Sequence, residues 1–249
     1  MLLLCGAVFV GGVAGEDVTP TSQKITFIGN GGDGSMEAQD IPTGSGDVTV
    51  QLNPCAFTRT DGQKFIGWKK GDSAIYYTDR QSIKITSGEA TSGIVLTAQW
   101  ASVTEVSAIS QINPPITDQK YYKLTSNVTG NITVNSGGLA VLDLNGCVLQ
   151  ASSGSVITVS PGGVLMVVDS STGKYHYFKV QDAGKPWTLD DNQTAGTPLD
   201  QITDASQLVK DLVIKVTGGC ITGATTAATA AVCMSTVITP ITPPAAHSP

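Results

Sequence analysis

The sequence is poor in charged residues, and especially in arginine. Asp, Glu, Lys and Arg make up only 14% of the chain, and the formal net charge is −6. The basic residues form no run, and only Arg59 and Arg80 are arginines. Nucleic acids are bound by clustered Lys and Arg side chains that neutralise phosphates. We therefore expect no nucleic acid among the partners of this chain.

Histidine and paired cysteine are also scarce. His176 and His247 are the two histidines, and the five cysteines include no C-x-x-C pair. Zinc sites are built from closely spaced Cys and His, so we predict no metal site and no cofactor. We interpret the cysteines as small buried hydrophobes. A disulfide such as Cys147–Cys220 stays open as an alternative in an exported protein.

The N-terminus is uncharged and apolar. Residues 1–15 (MLLLCGAVFVGGVAG) end in small residues before Glu16 and are too short to span a bilayer. This pattern is typical of a secretory signal, although the usual preceding positive segment is missing. We predict a signal-like segment, which places the protein outside the cell. A buried first strand is the alternative.

Gly, Ser, Thr and Val are abundant, and residues 21–100 show a period of two. Val48, Val50 and Leu52 alternate with polar residues, and Asn30-Gly31 interrupts another such run as a tight turn. Alternating runs bounded by turn residues predict half-buried strands. Both Asn and Gly tolerate the positive φ that such turns need.

The same segment resembles a known family. The shared motifs, in chain order, are Ile25-Thr26-Phe27, Asn30-Gly31-Gly32, Phe57-Thr58-Arg59, Phe65-Ile66-Gly67-Trp68, Tyr77-Thr78-Asp79 and Leu96-Thr97-Ala98-Gln99-Trp100. They resemble the Listeria–Bacteroides repeat, also called the internalin B-type B repeat. Gln63 and Thr97 stand where the family usually has tyrosines. The resemblance implies a small β-grasp-like domain of cell-envelope proteins that serves as a spacer or interaction module.

Aromatic residues of this first segment could serve a core or a ligand. Trp68 and Trp100 are interpreted as core anchors, because large rings bury much apolar area. The alternative is a sugar-stacking platform. Tyr76 and Tyr77 are candidate ligand-binding residues, because adjacent strand residues point to opposite faces and one of the two can be exposed.

Residues 101–120 are rich in Ser and Thr, and we predict them to be a linker. A second sequence pattern begins after this linker. From 121 to 222 short apolar strands alternate with Gly/Ser/Asn turns. This spacing favours a solenoid, in which each coil buries its apolar face on its neighbours. The region resembles the right-handed parallel β-helices of bacterial surface proteins. Asn145 either stacks in a ladder of turn residues or is an ordinary turn asparagine.

Residues 172–211 break the coil pattern, and we interpret them as an insertion projecting from the coils. Loops on a rigid scaffold often carry binding residues. Tyr175, Tyr177 and Trp187, with Asp190 and Asp191, are the candidates for binding here. A satellite cluster or a disordered loop is the alternative. A strand at 212–216 is expected to resume the coil pattern.

Catalysis by a β-helix polysaccharide lyase or hydrolase is the rival hypothesis. Such a hydrolase would need paired carboxylates, for which Asp143 and Asp169 on adjacent coils are the candidates. Both follow apolar strands at turn edges and are easily explained as structural, and no arginine lies beyond Arg80. We therefore predict no catalytic residues and no enzymatic activity.

The C-terminal segment, residues 223–249, is rich in Ala, Thr and Pro and contains no charged side chain. It is predicted to be disordered. Taken together, the sequence predicts a mainly β chain: a β-grasp-like repeat followed by a short, partial right-handed parallel β-helix. The expected function is that of a spacer or adhesin-like module in a fragment of a larger bacterial surface protein. The expected partner is an extracellular glycan or a host or matrix protein.

Overall fold

The computed structural model describes residues 23–42, 46–112, 115–181, 187–223, 232–233 and 239–241. Within these residues the chain is mainly β, which confirms the predicted class. The α-helix that they contain has six residues, and no helix of the described part is long and apolar enough to cross a membrane. The predicted signal-like segment, 1–15, lies outside the described residues.

The first region forms a mixed sheet and a separate strand pair. Its elements are β1 Lys24–Ile28, β2 Gln39–Asp40, β3 Val48–Gln51, β4 Lys64–Lys70, β5 Tyr76–Tyr77, β6 Ser82–Ile85, α1 Ser87–Ser92 and β7 Ile94–Ala101. The sheet has the order β2-β1-β7-β4-β5, and β3 pairs with β6. β1 and β7 are parallel, whereas β4 is antiparallel to β7. The first and last strands of the region are therefore central neighbours.

Local sequence explains these elements; the strand and the turn described next were predicted, whereas α1 was not. In β1 every second residue is buried, and Ile25 and Phe27 face the core. Asn30 (φ 50°) and Gly31 (φ 84°) form the turn after it, which confirms the predicted tight turn. α1 begins at a capping box, in which Thr86 and Glu89 each bind the other's backbone amide.

The connection at 101–120 is not the extended linker that was predicted. It contains β8 Val103–Val106 and a 3₁₀ turn at Ile109–Gln111, and β8 pairs in parallel with the next strand, β9 Gln119–Leu124. Val106, Ile112 and Ile116 are buried. These apolar residues are spaced widely among Ser and Thr, so they do not form a recognisable run, yet they complete the first coil of the region that follows.

The second region winds through three stacks of parallel strands. Its next strands are β10 Val128–Thr129, β11 Ile132–Val134, β12 Leu139–Asp143, β13 Val148–Gln150, β14 Ile157–Val159, β15 Val164–Val168 and, after the insertion, β20 Cys220–Thr222. The first stack is β8-β9-β12-β15, the second is β10-β13-β20 and the third is β11-β14. Leu139 opposes both Gln119 and Val164, so one turn takes 20 residues (119 to 139) and the next takes 25 (139 to 164).

Aligned apolar side chains fill the interior of the stacks. Tyr122, Leu142 and Val167 are Cα partners on successive strands and share one buried cluster. At a turn, Asn145 adopts φ 46° and its Nδ2 donates to Leu124 O of the preceding coil at 2.9 Å. Asn145 thus links two coils through a backbone carbonyl.

The predicted insertion, 172–211, is a folded sheet. It contains β16 Tyr175–Lys179, β17 Thr188–Leu189, β18 Thr197–Pro198 and 3₁₀ turns at Leu199–Gln201 and Ala205–Gln207. The strand expected at 212–216 is β19 Val213–Thr217, but it pairs antiparallel with β16 instead of extending a coil. The strand itself was predicted correctly, but its place in the coil pattern was wrong. Alternation of apolar residues predicts a strand and does not specify the strand with which it pairs. The sheet order is β17-β16-β19-β18.

Two more strands lie in the segment predicted to be disordered. β21 Val232–Cys233 is antiparallel to β20, and β22 Thr239–Ile241 is antiparallel to β15. For these five residues the prediction was wrong, because the backbone pairs with free strand edges. The rest of 224–249 lies outside the described residues.

Both the first region and the inserted sheet pack on outer faces of the coil region. Ile66 of β4 and Ala101 of β7 join outward-facing residues of the first stack in a buried set that we call the interface cluster; its other buried members are Leu139, Val141, Val164 and Met166. On the second stack, Val148 and Cys220 contact Phe178 and Val216 of the inserted sheet. The outer faces of two stacks are therefore covered.

Candidate functional site

The two tyrosines of β5 are packed in different places. Tyr76 packs against the interface cluster and Tyr77 against the core of the first region, and each is half-buried. They point to opposite faces, as alternation requires. Burial is the main cause of the raised pKa of Tyr77. The structure therefore does not bring these candidates together as an open platform.

The tryptophans of the first region are core or near-core residues. Trp68 is 0% exposed and packs against Phe27 and Phe65, with ring centroids 5.0 and 4.9 Å away. Trp100 is half-buried, and its Nε1 donates to Gly29 O at 2.8 Å. The interpretation of Trp68 as a core anchor is confirmed.

Tyr175 and Tyr177 come together on the outer face of the inserted sheet. Their rings form an edge-to-face pair with centroids 5.5 Å apart, and Lys215 Nζ lies 4.3 Å from the Tyr175 ring centroid. Tyr175 is 51% exposed, whereas Tyr177 is only 5% exposed. Trp187, the third predicted aromatic, packs against the cluster around Phe178. Two of the three candidates therefore share one place.

Residues 191–196, which we call the strap, cover Tyr177. β17 and β18 lie at opposite edges of the inserted sheet, so the chain between them crosses the sheet. A Cβ on Gly196 would lie 3.1 Å from Tyr177 Cδ1, which places the strap on the tyrosine face. Asp190 N donates to Tyr177 O at 2.8 Å just before the strap begins. Any ligand reaching Tyr177 would have to displace this segment.

Asp191 anchors the strap to a histidine that the sequence did not single out. His176 is 7% exposed, and its Nδ1 lies 2.9 Å from Asp191 Oδ2, while its Nε2 lies 2.8 Å from Gly146 O. Tyr177 N also donates to Asp191 Oδ1, at 3.2 Å. The pairing of β16 with β17 is the feature that would have indicated this contact. Phe178 is the Cα partner of Leu189, so the same antiparallel register, continued along both strands, places residue 176 opposite residue 191.

The candidate carboxylates Asp143 and Asp169 lie on adjacent coils, as the sequence suggested. Asp143 is 1% exposed and accepts from the amides of Asn145 and Ser170 at 3.0 and 2.9 Å. Asp169 accepts from the amides of Gly146, Ser171 and Gly219. Both carboxylates therefore bind backbone at coil turns.

Hydrogen bonding to Asp169 outweighs the effect of its burial on the pKa of this carboxyl group. Burial acts to raise its pKa, but the amides of Gly219, Ser171 and Gly146 together hold that pKa below its usual value. The group is thus a stable anion at neutral pH. Such a carboxylate is suited to fixing turns and is poorly suited to donating a proton.

The thiols of Cys55 and Cys147 are not activated. Burial is the main cause of the raised pKa of Cys147, and it raises the pKa of Cys55 to about 11. Cys147 is a free thiol whose sulfur lies 3.8 Å from Asn145 O, so the disulfide with Cys220 that the sequence left open is not formed. Cys5 lies outside the described residues.

The described part of the chain contains no group of three or more His, Cys, Asp or Glu arranged to hold a metal ion. The aromatic pair on the inserted sheet, with Lys215 and the strap, is thus the candidate site with the best-defined geometry. Neither a family model, nor a curated protein, nor a solved structure matches this chain.

Proposed function

We propose that this chain is a non-catalytic module of a larger bacterial cell-surface protein, acting as a spacer and as an adhesin-like interaction domain outside the cell. The proposed architecture is a β-grasp-like Listeria–Bacteroides repeat followed by a short right-handed β-helix. The parallel pairing of β1 with β7 across a mixed sheet supports the first part. The three stacks of parallel strands, aligned from coil to coil, support the second.

The observation that carries the interaction role is the exposed ring of Tyr175 beside a cation. The ring offers an apolar surface for the C–H face of a sugar, and its edge-to-face contact with Tyr177 holds it in place. Lys215 Nζ, 4.3 Å from the ring centroid, supplies positive charge at the same spot. An extracellular glycan that carries carboxylate or sulfate groups fits this combination. A host or matrix protein with an acidic surface is the other partner of this kind.

A panel of immobilised neutral and acidic polysaccharides tests the proposal. The purified chain should bind at least one acidic polysaccharide, and both Tyr175→Ala and Lys215→Ala should weaken that binding by about tenfold. Val209→Ala, which also changes an exposed apolar side chain of the inserted region, is the matched control and should bind like the wild type. If Tyr175→Ala binds as strongly as the wild type, the aromatic pair is not the binding site. If the wild type binds neither neutral nor acidic polysaccharides, the proposed glycan binding is wrong.

A fragment of a β-helix polysaccharide lyase or hydrolase remains the alternative, because Asp143 and Asp169 lie on adjacent coils. The amide hydrogen bonds to both carboxylates favour a structural role for them. Incubation with acidic polysaccharides and calcium separates the two functions. Unsaturated products or new reducing ends would establish the enzyme, whereas an unchanged polysaccharide that binds would support the adhesin-like module.

A further inference from the structure

Three tripeptides of this chain have the pattern Asn-x-Ser/Thr, in which x is not proline. They begin at Asn127, Asn131 and Asn192. In exported proteins this pattern is the acceptor of N-linked glycans, and the transferring enzyme modifies it in surface loops. So short a pattern also arises by chance, and the structure around each asparagine therefore decides which of them is available.

The coil region occupies the side chains of the first two asparagines. Asn127 Oδ1 accepts from Val148 N of the next coil at 2.8 Å. Asn131 Nδ2 donates to Ser153 O and Ser155 O at 2.6 and 2.5 Å, which accounts for both of its hydrogens. The nitrogen that would carry a glycan on Asn131 is therefore already enclosed by backbone carbonyls.

Strand pairing also holds the hydroxyl residues of these two tripeptides. Thr129 of β10 is the Cα partner of Gln150, and Thr133 of β11 is the Cα partner of Thr158. An acceptor tripeptide has to enter the active site of the transferase, so either of these would first have to leave a coil. Paired strands of a core open far less readily than surface loops.

The third asparagine, Asn192, lies in the strap and has no such partners. Asn192 and Thr194 are both exposed, and neither side chain makes a hydrogen bond within the part of the chain that the structure describes. The strap is anchored on either side of this tripeptide, where Asp191 Oδ1 accepts from Tyr177 N and where Gly196 lies against β19. The fold therefore presents Asn192 on a projecting loop with fixed ends.

An acidic residue precedes this tripeptide and neither of the others. Asp190 stands two positions before Asn192, whereas Thr125 and Thr129 stand two positions before the other two asparagines. Bacterial transferases of this class favour an acidic residue at that position. Gln193 Nε2 donates to Asp190 Oδ2 at 2.7 Å, and Gln193 N donates to Asp190 O at 3.2 Å, so a turn holds the carboxylate beside the tripeptide.

We propose that Asn192 is the N-glycosylation site of this chain. Its Nδ2 attacks the anomeric carbon of an oligosaccharide carried on a polyprenyl diphosphate. A C–N bond forms, the bond from that carbon to the diphosphate oxygen breaks, and the polyprenyl diphosphate leaves with the electron pair while Nδ2 loses one proton to the transferase. Modification in the cell rests on the export that the proposed function includes, whereas the competence of the folded chain as an acceptor does not. The glycan would stand on the same face as Tyr175, because the strap lies on the tyrosine face.

Transfer in vitro to the folded full chain tests this site. The purified chain is incubated with a bacterial oligosaccharyltransferase and an undecaprenyl-diphosphate-linked oligosaccharide, and glycopeptides are mapped by mass spectrometry. We expect a glycan on Asn192, loss of transfer in Asn192→Gln and Thr194→Ala, and retained transfer in Thr194→Ser, which keeps the hydroxyl. Asp190→Asn should accept less glycan. No glycan on Asn192 of the wild type, or transfer to Thr194→Ala as efficient as to the wild type, would overturn the proposal.

A further variant tests whether the fold selects the site. Thr125→Asp gives Asn127 the preceding acidic residue that it lacks. The folded variant should stay unmodified at Asn127, whereas a synthetic peptide of residues 121–131 with the same substitution should carry the glycan. A glycan on Asn127 of the folded variant would show that the coil does not withhold this acceptor, and would overturn the structural basis of the proposal.

Polysaccharide binding, measured separately on unmodified chain, keeps the two proposals apart. A chain that accepts the glycan at Asn192 and binds no polysaccharide would refute the proposed glycan binding and support the acceptor site. A chain that binds a polysaccharide and accepts no glycan at Asn192 would do the reverse.

Discussion

The two regions of this chain build their cores by different means. The first region, 23–101, gathers aromatic rings around one residue, since Phe27, Phe57 and Phe65 all contact Trp68. The coil region, 103–223, instead repeats aliphatic contacts from one coil to the next, as at Leu142 and Val167. The aromatic part of the first core centres on a single residue, whereas the second core is distributed along the stacks.

That difference predicts which substitutions should destabilise each region most. A single-centre core has no substitute for its central ring, so removing the ring should affect the entire region. A distributed core loses one layer at a time, because stability in stacked repeats is close to a sum of local and nearest-neighbour terms. The following predictions test this contrast, from the largest expected effect to the smallest.

Trp68→Ala should cost the most. The side chain is 0% exposed, and its loss leaves a cavity among three aromatic rings; we expect a destabilisation of about 3–5 kcal/mol. Urea unfolding followed by exchange of individual amides should show β1 and β7 losing protection well before β12. Trp68→Phe, which keeps a ring, is the control and should cost less. Simultaneous loss of protection in both regions would show that the interface cluster makes them one cooperative unit.

Leu142→Ala should cost somewhat less and act more locally. Leu142 is 1% exposed inside the first stack, and we expect a loss of about 2–4 kcal/mol. The amides of β9, β12 and β15 should lose protection while those of β1 and β7 keep it. Thr158→Ala, on an exposed outward position of β14, is the matched control and should be nearly neutral. A collapse of the first region in Leu142→Ala would contradict the distributed core.

Asp169→Asn should remove a pH-dependent stabilisation of about 1–2 kcal/mol, because the carboxylate accepts three backbone amides. Its folded-state pKa is lowered, so its contribution is present above the ordinary pKa of an aspartate and is lost as the pH falls through the folded value. Thermal melts at about pH 7 and about pH 3 should show a larger acid destabilisation in the wild type than in the variant. A variant with the full wild-type acid response would exclude this role.

Thr86→Ala should have the smallest effect of the four, about 1 kcal/mol. It removes the hydroxyl that caps α1 and accepts from Glu89 N. The loss should appear in the first region alone, and Thr86→Ser, which keeps a capping hydroxyl, should restore most of it. Denaturant midpoints for the three proteins provide the measurement. If Thr86→Ser is no better than Thr86→Ala, the hydroxyl does not support the helix.

The sequence was sufficient where a local pattern determines the structure. Alternation located β1 and β3, and the positive φ values of Asn30 and Gly31 follow from the residue types at that turn. Trp68 was identified as a core residue from the large apolar area of its ring. None of these inferences needs knowledge of a distant partner.

The sequence was insufficient where pairing over distance decides. β19 has the alternation of a coil strand, yet it pairs antiparallel with β16, because strand pattern does not specify direction or neighbour. Ile112 and Ile116 looked like linker residues, since no run of apolar neighbours marks them, but they close the first coil. His176 escaped notice for the same reason: its role depends on Asp191, fifteen residues away, and on a carbonyl of another coil.

The central claim is that successive coils align in parallel, and a cross-coil disulfide tests it most directly. Thr133 of β11 and Thr158 of β14 are Cα partners on the third stack, so cysteines at both positions should lie within disulfide range. We predict that Thr133→Cys/Thr158→Cys forms an intramolecular bond under mild oxidation, identified by peptide mapping, and that Thr129→Cys/Thr158→Cys does not. Bonding in the second pair, or none in the first when both thiols are accessible, would contradict the parallel coil.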